Sequence, residues 1–206
     1  MCRLCAVSGA KAAVLPDARM HAQDKVGPGR MILVVGPSGA GKDTLMAALK
    51  DRVKDNDSVV FARRAVTRDA DASSEDHDTL SRSDFETLVS AGNVALSWEA
   101  HGLGYVVPQS YDRAIRDGKT VIANGSRKVL KEASEKYETA IVLLITAPVE
   151  ILAERLAARG RETGEDIEAR LKRADLEPDN VDNLVRIENT GTPEEGVADM
   201  LRALGL

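Results

Sequence analysis

Short apolar runs in this chain of 206 residues alternate with longer stretches in which apolar positions recur at helical spacing. Continuous β-branched and aliphatic runs at 31–35, 58–62, 119–123, 139–145 and 184–188 read as strands. Stretches at 42–54, 110–117, 126–136, 148–158 and 193–203 read as helices between or after them. Strands without polar alternation are buried on both faces, so the pattern predicts an α/β fold with a parallel sheet covered by helices on each side. Two segments interrupt the alternation. Residues 63–107 begin polar, then predict a helix over 84–91 and short strands near 94–98 and 104–107. Residues 159–176 open on Arg-Gly-Arg-Glu-Thr-Gly-Glu-Asp before a further helix. Residues 1–29 lack a period, contain Pro16, Gly27, Pro28 and Gly29, and read as a flexible extension ahead of a domain over 30–206, with Met20 and Met31 as alternative starts.

The first predicted strand runs into Gly36-Pro37-Ser38-Gly39-Ala40-Gly41-Lys42-Asp43-Thr44 and then into an apolar helical stretch. Gly36, four residues, Gly41 and Lys42 have the spacing of a phosphate-binding loop in its strand–helix context. Glycines let backbone N–H groups curl around phosphate oxygens, and the helix N-terminus adds a favourable dipole. The Lys42 ammonium then serves the β- and γ-phosphates of a nucleoside triphosphate. A dinucleotide fingerprint is excluded, because Thr44 stands where the third glycine belongs. Asp43 occupies the position at which the pattern asks for a Ser or Thr to hold Mg²⁺. A carboxylate beside a triphosphate is repulsive unless a cation lies between them, so Asp43 is the expected Mg²⁺ ligand. The competing reading is ordinary complementation of the helix dipole.

Composition narrows the partners. A net charge of −5 and an aromatic content of 3% argue against a non-specific nucleic-acid binder and against stacking platforms for single strands. The longest apolar run, 140–145, has strand length and falls far short of the ~18 residues of a membrane span. Cys2 and Cys5 are the only cysteines, which excludes a disulfide framework, and their Cys-x-x-Cys spacing has no second ligand pair. Arg3 is not followed by the sustained apolar stretch of a secretory signal, and the expected compartment is the cytoplasm. The oligomeric state stays open, a homodimer included.

Further candidates follow the loop. Arg155 and Arg159 are four apart on one helix face, Arg161 follows Gly160, and Arg170 and Arg173 repeat the spacing on the next helix. Guanidinium groups on two helices joined by a glycine-containing turn suit a lid over 155–176 that closes on a migrating phosphoryl group. A solvated face paired with Glu154, Glu162 and Glu168 is the alternative. Arg63-Arg64-Ala-Val-Thr67-Arg68 is read as the end of the second strand and suits bidentate phosphate contacts. Behind it, Glu75-Asp76-His77-Asp78 is either part of a site or a solvated acidic loop. Ser97-Trp98-Glu99-Ala100-His101-Gly102 holds the only Trp and the candidate His101. Asn124-Gly125-Ser126-Arg127 directly follows the third core strand, where open α/β sheets place their ligand crevice. An acidic metal ligand is expected at that strand end, yet Asn124 stands there, and Asp43 is read as supplying the missing charge.

With these residues in place, the chain resembles the guanylate-kinase-like branch of phosphate-loop kinases, and more closely the ribose 1,5-bisphosphate phosphokinases of phosphonate utilisation. The resemblance spans about 30–204 and rests on the loop with its Asp43, on Thr67-Arg68, Glu75-Asp76-His77, Leu96-Ser97-Trp98, His101-Gly102, Asn124-Gly125-Ser126-Arg127 and Arg159-Gly160-Arg161-Glu162. It implies transfer of the ATP γ-phosphate to ribose 1,5-bisphosphate, giving 5-phosphoribosyl 1-diphosphate and ADP. It also implies an acceptor-binding insertion over 63–107. Lys42, Arg155, Arg159, Arg161 and Arg170 are then the expected catalytic residues. Arg64, Arg68, Glu75, His77, Ser97, His101, Tyr105, Asn124 and Arg127 are the expected acceptor residues, and a small sugar phosphate is the partner. Asp71, Ser97 and Gly104 depart from guanylate kinases at positions that those enzymes use for the monophosphate and the guanine. A nucleoside monophosphate kinase is the rival reading, and a non-catalytic interaction module a more distant one.

Overall fold

The structure, a computed structural model, describes residues 25–68, 77–158 and 183–206. In chain order its elements begin β1 (Arg30–Val35), α1 (Lys42–Arg52), β2 (Val59–Phe61), β3 (Arg64–Val66), β4 (His77–Thr79), α2 (Arg82–Ser90), β5 (Val94–Ala100) and β6 (Leu103–Pro108). They continue α3 (Ser110–Arg116), β7 (Thr120–Asn124), a 3₁₀ turn (Arg127–Val129), α4 (Leu130–Lys136), β8 (Ala140–Thr146), α5 (Val149–Ala158), β9 (Leu184–Glu188) and α6 (Pro193–Leu204).

The central sheet is parallel, in the order β2-β7-β1-β8-β9. Its middle strands β7, β1 and β8 are mostly apolar because alternate residues feed two different cores. Met31, Leu33 and Val35 of β1 join Val121, Ala123, Val142 and Leu144 against α3 and α4, in a core that continues to Leu96, Trp98 and Val107. Ile32 and Val34 join Ile122, Leu143 and Ile145 against Leu45 and Leu49 of α1, Leu152 of α5, and Val197, Met200 and Leu204 of α6. The β1 register, Val34 with Asn124 and Val35 with Leu144, brings the carboxyl ends of β1, β7 and β8 together directly beneath the glycine-rich loop.

A second sheet, β4-β3-β6-β5, is mixed and lies outside the central one. Here the sequence reading needs correction: Arg64–Val66 is a strand of this second sheet, not the end of the second core strand. The core strand stops at Phe61, and β3 pairs with β4 and β6. Three-residue strands carry too little periodicity to separate from a loop. The stretch read as one helix over 126–136 is a 3₁₀ turn followed by α4. The chain is tied down ahead of the expected boundary at 29/30. Val26 is buried and pairs with Tyr137, its N–H donating to the Lys136 carbonyl at 2.8 Å.

A polar bolt ties α3 and the end of α4 to the second sheet. Asp112 of α3 accepts from the Tyr137 hydroxyl at 2.7 Å and pairs with Lys136 Nζ at 2.7 Å. Lys136 also donates to the Ala95 carbonyl at the start of β5 at 2.7 Å. Burial, reinforced by the Asp112 carboxylate, pushes the Tyr137 phenol far above its ordinary range, so it remains a donor.

Candidate active site

The loop between β1 and α1 has the conformation that a phosphate cradle needs. Gly41 caps α1 at φ 87° with no side-chain cap, so no side chain of the capping residue covers the first N–H groups of the helix. Gly36 has φ 151°, and a methyl group on it would fall on the Ile145 backbone carbonyl. Neither position admits another residue without displacing the loop. Lys42 folds back over the loop, its ammonium donating to the Gly36 carbonyl at 2.8 Å and the Pro37 carbonyl at 2.9 Å.

Two clefts flank this loop. The larger, about 370 Å³, is lined by Gly36, Pro37, Ser38, Lys42 and Asp43 on one side and by Arg64, Arg68, Trp98, His101 and Tyr105 on the other, with Asn124 and Arg127 at its base. Lys42, Arg64, Arg68 and Arg127 are its cations, and Asp43 is the only acid among its described lining residues. The cleft thus favours an anion although the chain is acidic overall. The smaller cleft, about 350 Å³, is lined by Gly39, Gly41, Thr44, Arg155, Asn189, Gly191 and Pro193. Its Arg155 Nη1 is buried with no hydrogen-bond partner among the described residues.

Most of the expected acceptor residues converge on the larger cleft, and two described ones do not. Ser97 lies on the other face of β5 from Trp98 and Ala100. That face carries Glu99, which pairs with Arg82 of α2, and Gly104, where an added Cβ would sit 2.7 Å from Phe85. Ser97 therefore faces α2, and Gly104 leaves room for the Phe85 ring. His77 is buried, lies opposite Arg64 in the β3–β4 register, and is outside the cleft lining. Its Nε2 is 3.5 Å from the Arg68 Nε, so it touches an arginine that does line the cleft. His101 does line the cleft. With Gly102 it forms the two-residue turn between β5 and β6 at φ 53° and 77°, the left-handed pair that such hairpins use. Glu75, Arg159, Arg161, Arg170 and Arg173 lie outside the described residues, as does the lid beyond Ala158. Arg155, expected among the catalytic residues, lines the smaller cleft, across the loop from the acceptor residues.

Asn124 and Asp43 do meet. The Asn124 amide, held at the end of β7, donates to Asp43 Oδ1 at 3.1 Å. This pair couples the loop to the neighbouring strand end. The arrangement fits a shared Mg²⁺ better than a protein-only cage: Asp43 offers carboxylate oxygens beside the cradle, and no group of three or more His, Cys, Asp or Glu suitable for a metal occurs among the described residues. Mg²⁺ ordinarily takes one or two carboxylates and completes its shell with phosphate and water.

Sequence reasoning overlooked two residues. Trp98, the sole Trp, carries no role in the sequence reading, yet it lines the cleft. Asn189 is buried and donates to the Ala40 carbonyl at 2.8 Å, bracing the loop from the side of β9. Its signal was the one that found Asn124: it directly follows a core strand.

A family model described as an AAA domain matches residues 32–174. The chain is 46% identical over 180 residues to ribose 1,5-bisphosphate phosphokinase PhnN of Rhodopseudomonas palustris, covering 87% of this chain and 90% of the relative. It is 45% identical over 162 residues to the protein of the same name from Desulfomicrobium baculatum, covering 79% and 87%. Guanylate kinase from Anaplasma phagocytophilum superposes with a TM-score of 0.55 at 18% identity over 87% of each chain, which shows a common fold. The chain belongs to the ribose 1,5-bisphosphate phosphokinase family, built on a guanylate-kinase-like phosphate-loop fold.

Proposed function

We propose that this protein transfers the γ-phosphoryl group of ATP to the 1-phosphate of ribose 1,5-bisphosphate, releasing ADP and 5-phosphoribosyl 1-diphosphate in phosphonate catabolism. The observation that carries the reading is the larger cleft, in which Lys42, Arg64, Arg68 and Arg127 line one space beside the phosphate loop. The names of the relatives agree with it. The donor's phosphates lie in the loop, with its base toward Arg155 and Asn189 in the smaller cleft, and the acceptor fills the larger one. An oxygen of the 1-phosphate attacks the γ-phosphorus in line, forming one P–O bond as the bond to ADP breaks. The nucleophile is already ionised, so no general base is required. Lys42 and the N–H groups of the loop hold the transferring charge, and Arg68 and Arg127 neutralise the acceptor. Mg²⁺, held by Asp43 and the nucleotide, would screen the charge between the two phosphates.

A nucleoside monophosphate kinase would need polar groups along the edge of a base. Ser97 faces away from the cleft, and the wall beside it is Trp98, Tyr105 and Arg64. No described helix is long and apolar enough to cross a membrane. The reading places the enzyme in the cytoplasm.

Direct transfer between clefts on either side of one loop requires both substrates to be bound at once. Initial rates of ADP formation with ATP and ribose 1,5-bisphosphate varied together should give intersecting double-reciprocal lines. No ADP formation, or the parallel lines of a phosphoenzyme route, would contradict the proposal.

A further inference from the structure

The cations of the larger cleft are held in different ways. Lys42 belongs to the loop, where the transferring phosphates lie, whereas Arg64 belongs to the opposite wall. In the register of the second sheet, Val66 is opposite Tyr105 and Tyr105 is opposite Trp98. Residues two apart on a strand share a face, so Arg64, Tyr105 and Trp98 all face the cleft. The Trp98 and Tyr105 rings are stacked, their centroids 5.3 Å apart and their planes within 2°. The Arg64 guanidinium carbon lies 5.5 Å from the first centroid and 5.4 Å from the second, within the range of a cation–π contact. Arg64 and Trp98 are each only 7% exposed, yet both line the cleft. A guanidinium fixed against two ring faces loses little freedom on taking a phosphate, and its planar fork gives direction that an ammonium lacks.

We propose that Arg64 sets acceptor identity by binding the phosphate that does not react, the 5-phosphate of ribose 1,5-bisphosphate. Trp98 and Tyr105 act as positioning residues that fix the plane of the guanidinium. The proposal rests on the acceptor reading above. The reacting phosphate must lie against the loop to meet the γ-phosphorus. The second dianion, at the far end of the sugar, then needs a cation from the opposite wall. Among the described lining residues of that wall, Arg64 is the buried and stacked one. Arg68 is instead in contact with His77.

The test is a thermodynamic cycle by isothermal titration calorimetry, comparing ribose 1,5-bisphosphate with ribose 1-phosphate on wild type, Arg64→Met, Arg64→Lys and Trp98→Leu. Wild type should prefer the bisphosphate by about 100-fold, the scale of a bidentate charged contact. Arg64→Met should reduce that preference to within about threefold, Arg64→Lys to about tenfold, and Trp98→Leu should lower it as well, with ATP affinity unchanged throughout. A purely structural role would weaken both sugar phosphates alike and preserve the ratio, which would overturn the proposal. Should Arg64→Met fail to fold, the ratio measured with Arg64→Lys decides. A wild type that does not bind ribose 1,5-bisphosphate would remove the acceptor reading itself. One that binds it with a ratio insensitive to Arg64 would remove this proposal alone.

Discussion

Replacing Lys42 by alanine should lower kcat by about 1,000-fold while leaving the fold intact. The ammonium makes its described hydrogen bonds to the carbonyls of Gly36 and Pro37, on the rim of the cradle and not in either apolar core. Alanine keeps the first turn of α1, and the two carbonyls can turn to water. The loss falls on the transition state, in which charge spreads over the migrating phosphoryl group and a fixed cation counts most. A coupled ADP assay beside a thermal melt separates the two effects. An unchanged Tm with activity within tenfold of wild type would show that Lys42 does not act on the transferring group.

The second large effect is expected at Asp43. Asparagine at this position keeps an oxygen to accept from the Asn124 amide, so the 3.1 Å bond and the local geometry survive while the charge is lost. If the carboxylate serves Mg²⁺, the magnesium concentration for half-activation should rise about tenfold or more, as expected when one of few protein ligands is weakened. Binding of ATP in the absence of metal should be unchanged or tighter, because a negative charge beside the phosphates has been removed. The two readouts oppose each other in sign, which a general loss of structure would not produce. An unchanged half-activation concentration would reduce Asp43 to a helix-end residue.

The central sheet was legible because its middle strands β7, β1 and β8 are apolar over most of their length, the pattern of burial on both faces. The loop was legible because its chemistry needs glycines at fixed places: Gly36 against the Ile145 carbonyl and Gly41 at φ 87°. The second sheet was harder. Its strands β3 and β4 are three residues long, and β6, which joins β3 to β5, comes later in the chain. Pairing at that separation leaves no local period to read. The same limit explains Ser97 and His77. Both lie in the right segments, but one strand alternation turns Ser97 toward α2, and His77, paired with Arg64 across β3–β4, is buried against Arg68. Trp98 and Arg64 show the converse. They are distant in sequence and are brought together by β6, whose Tyr105 lies between them in the register, so their contact follows from the sheet and from nothing adjacent in the chain.

The central claim is that the larger cleft selects a sugar bisphosphate and not a nucleotide, and a comparison of acceptors tests it most directly. Purified enzyme with ATP and Mg²⁺ is given ribose 1,5-bisphosphate or GMP, ADP formation is followed, and the product is identified by ³¹P NMR. The expected result is a diphosphate at the sugar's first carbon, with kcat/KM for GMP lower by at least about 1,000-fold, because Ser97 faces α2 and the cleft wall is a stacked Trp98–Tyr105 pair beside Arg64. Comparable kcat/KM for the two acceptors, or GDP as the faster product, would contradict the assignment and make this chain a nucleoside monophosphate kinase.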